Sequence, residues 1–309
     1  MNFKNLIELM DYFKTEDDCV KYLYERRIKN NIPCHYCGAK CCSYLPNGSK
    51  RIRCRKCKAL YSVRVGTVFQ DSNIPLRKWF MAMYIYLSHK KGISSIQLAK
   101  DISVSQPTAW FMLHRLRNIS RDFDNLKFEG TTEADEAYIG GSEANKHTCK
   151  KGKTDKTCIF GMINRDTKQV KAYAVSSNEK EVLLGKIYQN VKDKSNVFTD
   201  SYNGYDDLNK YYNHEFVKHC AGEYNRDKKD DSGRTAYKIN TNSIEGFWSQ
   251  LKRGLYGVYH WASKKHIQMY VNEFCYRYNT RALADFERFN ELLLRIESRT
   301  LKYSCLIGN

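Results

Sequence analysis

The sequence predicts an α/β protein with a small metal-binding module and a pair of short helices ahead of its main sheet. Two CxxC pairs lie close together within residues 32–70. Two short segments of helical spacing, each preceded by a serine, follow within residues 71–120. From residue 131, apolar runs typical of strands alternate with segments of helical spacing, which is the pattern of an α/β domain.

Length and charge limit the classes of protein that fit this sequence. The chain has 309 residues, which at about 150 residues per domain predicts two domains with room for a smaller module. Lys and Arg exceed Asp and Glu by 52 − 34 = 18, and this excess favours a polyanionic partner such as nucleic acid. The longest apolar run, Trp79 to Leu87, is about half the ~20 residues that a membrane span needs. Residues 1–20 also lack the uncharged apolar block of a secretory signal.

The N-terminal part predicts a helical segment and a zinc site. Residues 1–31 show helical spacing that fits one helix or two short ones. Residues 32–70 contain two CxxC pairs separated by sixteen residues. This spacing brings four thiolates to the corners of a tetrahedron, which is the geometry of a structural Zn²⁺. We therefore predict a zinc ribbon whose ligands are Cys34, Cys37, Cys54 and Cys57.

Other features of the ribbon are secondary to the zinc prediction. Gly38, directly after the first pair, is expected to adopt a positive φ in the knuckle. Cys41 and Cys42 lack a CxxC partner of their own and are interpreted as spare, although either could substitute as a ligand. Short strands are expected over residues 60–65 and 67–69. The remaining cysteines have no pairing pattern, and so many unpaired thiols are typical of a reducing compartment.

Residues 71–120 predict a helix-turn-helix DNA-binding region. A helix is expected from Pro75 to residue 91, with Gly92 as its C-cap. Two shorter helices follow, and Ser105 is expected to cap the second, with Pro107 in its first turn. The second helix carries four residues that could face DNA: Thr108, His114, Arg115 and Arg117. A plain helical hairpin has the same spacing, so the basic charge and the neighbouring ribbon favour the DNA-binding interpretation.

The second half of the chain predicts three strands, a helix and a fourth strand. The strands are expected near residues 131–141, 158–163, 170–175 and 196–200, with the helix over residues 180–191 and a basic loop at 146–156. Asp135 lies in the first of these strands, Asp200 ends the fourth, and Glu245 opens a C-terminal helical region. Neighbouring strand ends meet at one rim of a sheet, and three carboxylates gathered there would suit Mg²⁺.

These segments resemble the catalytic core of DDE transposases. The resemblance rests on Glu133–Gly141, Val197–Tyr202 and Asn242–Arg253, and extends to the ribbon and the block around Tyr259-His260-Trp261. It is to insertion-sequence transposases with an N-terminal zinc ribbon, relatives of the Merlin-type DNA transposons. It implies an RNase H-like catalytic domain over residues 131–290, followed by a tail at 291–309.

The resemblance also implies the residues of the active site. Asp135, Asp200 and Glu245 would bind Mg²⁺ or Mn²⁺, and Lys252, two helical turns after Glu245 and on the same face, would hold a DNA phosphate. Asn242 either shares the metal face or caps the helix. Glu136 is excluded because strand alternation directs it to the other face of the sheet. His219 and His260 match family positions without a role that the residues define.

The implied function is DNA transposition. Such an enzyme binds the terminal inverted repeats of its element, hydrolyses a phosphodiester at each end, and joins the freed 3′-OH to target DNA. Its partner is double-stranded DNA, and joining two ends requires at least a dimer. It would act inside the cell where the DNA is, in the cytoplasm or nucleoid of a bacterium or in a eukaryotic nucleus. Two alternatives stay open: a domesticated, non-catalytic DNA-binding regulator and a structure-selective nuclease on the same fold.

Overall fold

The structure, a computed structural model, describes residues 3–45, 51–121, 126–140, 156–229 and 232–308. Its helices are α1 (Leu6–Tyr12), α2 (Glu16–Lys29), α3 (Leu76–Ser88), α4 (Ser95–Ile102), α5 (Gln106–Ile119), α6 (Lys180–Asn190), α7 (Asn242–Gly254), α8 (Ile267–Asn279), α9 (Asp285–Leu294) and α10 (Tyr303–Ile307). Its strands are β1 (Cys42–Leu45), β2 (Arg51–Cys54), β3 (Leu60–Ser62), β4 (Thr131–Ile139), β5 (Thr157–Asn164), β6 (Val170–Val175), β7 (Asn196–Asp200), β8 (Asn213–Val217), β9 (Arg226–Lys229) and β10 (Thr235–Ile239).

The chain divides into two compact units. The first contains residues 1–120 together with 282–309, and the second contains residues 121–281. The C-terminal segment therefore returns to the first unit, so that residues 282–290 lie there rather than with the sheet of the second unit, where the sequence had put them. Within the described residues, no helix is long and apolar enough to cross a membrane.

Helix α3 is the centre of the first unit. Its apolar residues surround the whole circumference of the helix, and Trp79, Phe80 and Tyr86 are almost fully buried. A helix that is apolar all round must be covered on all sides, and α3 contacts α1, α2, α4, α5 and α9. It ends at Ser88 with His89 as its cap, so the expected cap at Gly92 was wrong by three residues.

Strands β1, β2 and β3 form a small antiparallel sheet within residues 32–70, the region of the predicted zinc ribbon. Residues 63–65 and 67–69, which the sequence assigned to strands, turn instead, since Val65 N–H bonds to Ser62 O and Thr67 N–H to Arg64 O. Val63, Val68 and Phe69 are buried there, which explains why their apolar pattern was read as strand.

The pair α4–α5 has the predicted helical hairpin geometry. The Ser94 hydroxyl accepts the N–H of Gln97, the Ser105 hydroxyl accepts that of Thr108, and Ser103 turns the chain with φ of 53°. The expectation that His114, Arg115 and Arg117 face DNA was wrong, because all three are buried. Arg115 donates to the backbone carbonyls of Val68 and Gln70 and thereby holds the unit together.

The second unit is a five-stranded mixed sheet in the order β6-β5-β4-β7-β8. Strands β4, β5 and β6 pair antiparallel, while β7 and β8 run parallel to β4. Residues of α7 and α8 pack with Ala137 and Ile139 on one face of the sheet. Helix α6 packs with Ala134 on the other face, so alternate residues of β4 are buried on opposite sides.

Candidate active site

Strands β4 and β7 bring Asp135 and Asp200 to neighbouring positions. The two strands are parallel, with Thr131 opposite Asn196 and Glu133 opposite Phe198. Continuing this register by two residues pairs Asp135 with Asp200, the last residue of β7. The N–H of Tyr202 donates to Asp200 Oδ1 at 3.1 Å and fixes one oxygen of that carboxylate.

Helix α7 carries Glu245 and is anchored on the sheet by Glu133. The Glu133 side chain is fully buried. Its Oε2 accepts the N–H groups of Ser243 and Ile244 at 2.8 and 3.0 Å, which are otherwise unpaired donors of a helix start. Its Oε1 accepts from the Ser243 hydroxyl and from Arg165 Nε at 2.6 Å. A carboxylate in the strand therefore caps the helix, and the negative charge also suits the helix dipole.

Arg165 extends this anchor to the segment before α7. Its guanidinium donates to the carbonyls of Lys238 and Asn240 and lies 4.9 Å from the centre of the Phe198 ring. The Glu133 side chain is fully buried, whereas that of Arg165 is 21% exposed. The hydrogen bonds made by both groups are the condition for an ion pair at such a site to be tolerated.

Trp248 contacts the first carboxylate directly. Its indole Nε1 donates to Asp135 Oδ2 at 3.0 Å. Gly161 lies opposite Asp135 in the antiparallel pair of β4 and β5. A Cβ at Gly161 would lie 2.5 Å from Trp248 Cη2, so the glycine is what lets the indole reach the sheet at this point.

Glu245 lies in the first turn of α7 beside His219. Its Oε1 accepts the Thr241 hydroxyl at 2.9 Å and is 3.5 Å from His219 Nε2. The glutamate side chain is 48% exposed, which leaves it free to change rotamer. Lys252, two turns further along α7, is exposed to solvent.

Burial and neighbouring negative charges both raise the pKa of acidic residues at this site. Burial raises the pKa of Asp135 to about 6, and the charges of Asp200 and Glu245 act in the same direction. Burial likewise raises the pKa of Glu136 to about 7, again with help from Asp135 and Asp200. Like charges that raise one another's pKa in this way are close in space.

The three predicted carboxylates are neighbours, but their oxygen atoms do not form one tight cluster. Among the residues that the structure describes, four cysteines form the only tight group of potential metal ligands. Their donor atoms all lie within 4.8 Å of one another, and no other set of three or more described ligands does so. Carboxylate oxygens are nonetheless the ligands that Mg²⁺ prefers, so the donor set at Asp135, Asp200 and Glu245 fits a divalent ion in kind. Sharing an ion would require side-chain rotation, most simply at Glu245.

The alternation argument for Glu136 agrees with its contacts. Its carboxylate accepts the hydroxyl of Tyr205, which packs with the α6 side of the sheet. The suggestion that Asn242 caps α7 was wrong, because the cap position is Thr241 and the donors are taken by Glu133. His260 lies beyond α7, at a backbone turn with a positive φ of 60°.

Four residues that support the site had weak or no signal in the sequence. Glu133 lies two residues before Asp135 and so shares its strand face, and Trp248 lies three residues after Glu245 on α7. Those spacings could have identified them. Gly161 and Arg165 reach the site only through strand pairing and turn geometry, which local pattern does not show.

The cysteines form the predicted cluster. The Sγ atoms of Cys34 and Cys57 are 3.8 Å apart, and those of Cys37 and Cys54 are 3.6 Å apart. A Zn–S bond of about 2.3 Å in a tetrahedron requires S···S separations of about 3.8 Å, so the four sulfurs could hold Zn²⁺. The N–H of Cys57 lowers the pKa of Cys54, which favours the thiolate. Gly38 and Lys58, directly after each pair, have φ of 70° and 61°.

The spare cysteines stay outside this cluster. Cys42 Sγ lies 3.3 Å from the Tyr61 hydroxyl, and neither it nor Cys41 belongs to the group of four. Cys149 lies outside the described residues, as does nearly all of the basic loop at 146–156.

Comparison with known proteins identifies the family. The model of the ISXO2-like transposase domain matches residues 127–279. The chain therefore contains an ISXO2-like transposase domain. A relative described as an uncharacterized protein in transposable element ISH50 of Halobacterium salinarum (strain ATCC 700922 / JCM 11081 / NRC-1) is 29% identical over 234 residues, or 69% of this chain and 77% of the relative.

Among solved structures, a chain in the cryo-EM structure of the simian T-cell lymphotropic virus intasome with PP2A regulatory subunit B56 gamma is similar at 10% identity and a TM-score of 0.28. The match covers 59% of the transposase and 63% of that chain, less than two thirds of its length. A likeness at this level does not establish a common fold. The family match contains Asp135, Asp200, Glu245 and Lys252, whereas the cysteine cluster precedes it.

Proposed function

We propose that this transposase binds the terminal inverted repeats of its element, hydrolyses a phosphodiester bond at each end, and joins the freed 3′-OH to target DNA. The catalytic unit would be residues 121–281, with Asp135, Asp200 and Glu245 as the ligands of Mg²⁺ or Mn²⁺. The observation that carries the proposal is the parallel register of β4 and β7, which sets Asp135 beside Asp200, with α7 and Glu245 packed over β4.

The chemistry needs a divalent ion and an ordered set of ligands. Bound ions would activate the attacking oxygen and neutralise the leaving one in an in-line displacement. Trp248 would orient Asp135 by its hydrogen bond, and Glu133 would set the position of Glu245 by capping α7. Lys252, exposed on the same helix, would hold a phosphate of the DNA strand. No covalent enzyme intermediate is required, so no tyrosine need act as a nucleophile.

DNA recognition would fall to residues 32–120, with the zinc ribbon and the α4–α5 pair presented to the element's ends. The contacts would come from exposed residues such as Gln106 rather than from the buried residues of α5. Neutralising phosphates releases counterions, so the affinity for DNA should fall steeply as salt rises. Since two ends must be joined, the active form would be at least a dimer on DNA.

A joint assay of binding, cleavage and joining tests the proposal. The protein is mixed with duplexes cut from the DNA that flanks its gene and with a supercoiled plasmid. A transposase yields joined product with Mg²⁺, a nuclease yields cleavage alone, and a regulator only retards the duplex. Asp135→Asn, Asp200→Asn and Glu245→Gln should each abolish cleavage while retaining binding, and Asp193→Asn, an exposed carboxylate of the same unit, should cleave normally. Normal cleavage by any of the first three removes that residue from the site.

A further inference from the structure

The chain is strained at the point where it leaves the helix that carries Glu245. Helix α7 continues into a π-helical turn, Leu255–Tyr259, and His260 then adopts φ of 60° and ψ of −39°. The N–H of Trp261 donates to Tyr259 O at 2.6 Å, which makes this a γ-turn with a positive central φ. Such turns are rare and strained, and for a non-glycine residue this strain persists only where the surroundings impose it.

The neighbours on both sides of the turn are held by the core. The Tyr259 ring packs 4.9 Å from the Tyr270 ring, and its hydroxyl donates to the buried Glu273. Ala262 packs against the core between the sheet and α7–α8. Trp261, which lies between these anchors, is 72% exposed, whereas Trp79 and Trp248 are buried and Trp110 is half-buried. The fold therefore uses strain to hold one large aromatic side chain in solvent.

The segment of the chain that contains Trp261 carries positive charge. No acidic residue occurs between Glu245 and Glu273, and this stretch contains four exposed cations: Lys252, Arg253, Lys264 and Lys265. An aromatic ring among cations is the pattern by which proteins bind single-stranded nucleic acid, with bases stacked on the ring and phosphates paired with the cations. A protein partner for an exposed tryptophan would not require this one-sided charge.

From these observations we infer that Trp261 is a base-stacking contact for an unpaired base of the DNA strand whose phosphate Lys252 would hold. Inside a duplex, both faces of a base are covered by its neighbours, so an indole can stack only on a base that is unpaired or turned out of the helix. The inference rests on the proposed action on DNA, but it concerns binding alone, and Trp261 itself takes no part in the displacement.

The test measures binding without added Mg²⁺, so that it does not depend on the carboxylates. The probe is oligo(dT) of about 20 nucleotides, compared with a strand of the same length in which the central nucleotides lack bases. Trp261→Ala should weaken binding of oligo(dT) by about 5- to 150-fold, the loss measured for one stacked base. Trp261→Phe should retain most of the affinity, and Tyr211→Ala, another exposed aromatic of this unit, should retain all of it.

The strand that lacks bases separates stacking from other roles. The wild-type protein should bind it as weakly as Trp261→Ala binds oligo(dT), and the substitution should then make no further difference. An equal loss on both strands, or no loss on either, would overturn the inference. It would also be overturned if Trp261→Ala changed the oligomeric state but not the affinity for oligo(dT), since the side chain would then be a protein contact. Retardation of the end duplexes by the wild-type protein without cleavage or joining would instead refute the proposed function and leave this result standing.

Discussion

Replacing Gly161 by alanine should inactivate the enzyme through Trp248 and Asp135. The new Cβ would lie 2.5 Å from Trp248 Cη2 and 2.7 Å from Cζ2. Ordinary carbon contacts are about 3.5–4.0 Å, so the indole must move by about 1 Å. Trp248 is 4% exposed and packed against Phe247, so this movement is opposed by the core. Overpacking of this kind costs about 1–3 kcal/mol of unfolding free energy.

The same movement breaks the 3.0 Å hydrogen bond from Trp248 to Asp135. A displacement of about 1 Å in a catalytic group lowers rates by about 100-fold. We therefore expect Gly161→Ala to reduce Mg²⁺-dependent cleavage of end DNA by about 100-fold, with binding of that DNA unchanged. The matched control is Gly185→Ala in α6, where nothing lies within 4 Å of the added Cβ. That variant should cleave normally and gain up to about 1 kcal/mol in stability from helix propensity.

A double substitution tests whether Gly161→Ala acts on Asp135 through Trp248. Trp248→Phe removes the indole atoms that the new Cβ would meet and also removes the donor to Asp135. In the Trp248→Phe background the closest remaining atom is Ile244 Cδ1 at 3.2 Å. Gly161→Ala should therefore cause little further loss of cleavage there, and the effects of the two changes should be far from additive. Full additivity of the two losses in cleavage, or wild-type cleavage by Gly161→Ala alone, would show that the contact does not position the carboxylate.

Three further predictions follow from other contacts. Glu133→Gln breaks the buried cap of α7 and should lower the unfolding free energy by about 3–5 kcal/mol in thermal denaturation. The control is Glu129→Gln, which removes an exposed carboxylate paired with a lysine and should lower the unfolding free energy by less than about 1 kcal/mol. Burial raises the pKa of Glu136 to about 7, so the metal-free folded protein keeps a proton that the unfolded chain releases near pH 4.5. Its stability should therefore fall by about 3 kcal/mol as the pH rises from 4.5 to 7. Glu136→Gln should flatten this part of the curve of melting temperature against pH, and an unchanged slope would contradict the assignment. Cys57→Ser should reduce bound zinc from about one ion per chain to none in a colorimetric assay, while Cys41→Ser should keep it.

Local pattern was enough to locate the cysteine cluster and strands β4 to β7 of the second unit, but it did not predict β8, β9 or β10. The spacing of the CxxC pairs predicts that the four sulfurs lie close together, because each pair forms a tight loop and four thiolates suit one ion. Asp135 and Asp200 were singled out through the resemblance to DDE transposases, and the local strand pattern showed only that one lies within a predicted strand and the other at the end of one. Their register, with Glu133 opposite Phe198, comes from the pairing of distant strands and could not be read from either segment alone.

Features that depend on packing against another element were missed. The cap of α7 comes from Glu133, more than a hundred residues before the helix, so the search for a local cap settled on Asn242. Helical spacing in α5 did not show which side would be buried, and Arg115 was therefore expected at DNA rather than bonded to backbone carbonyls. The strain at His260 depends on the packing of Tyr259 and Ala262 on either side of it, which the local sequence does not show.

A titration of the wild-type protein with Mn²⁺, followed by electron paramagnetic resonance, tests most directly whether three separated acids act on one divalent site. The zinc-loaded wild type should bind Mn²⁺, and each of the variants Asp135→Asn, Asp200→Asn and Glu245→Gln should bind it more than about tenfold more weakly. Substitution of a residue that only supports a metal ligand already weakens metal binding by about tenfold, so loss of a ligand should weaken it by at least as much. Asp193→Asn should bind like the wild type. If any one of the first three variants retains wild-type Mn²⁺ affinity, its carboxylate is not a ligand and the shared site does not exist as described.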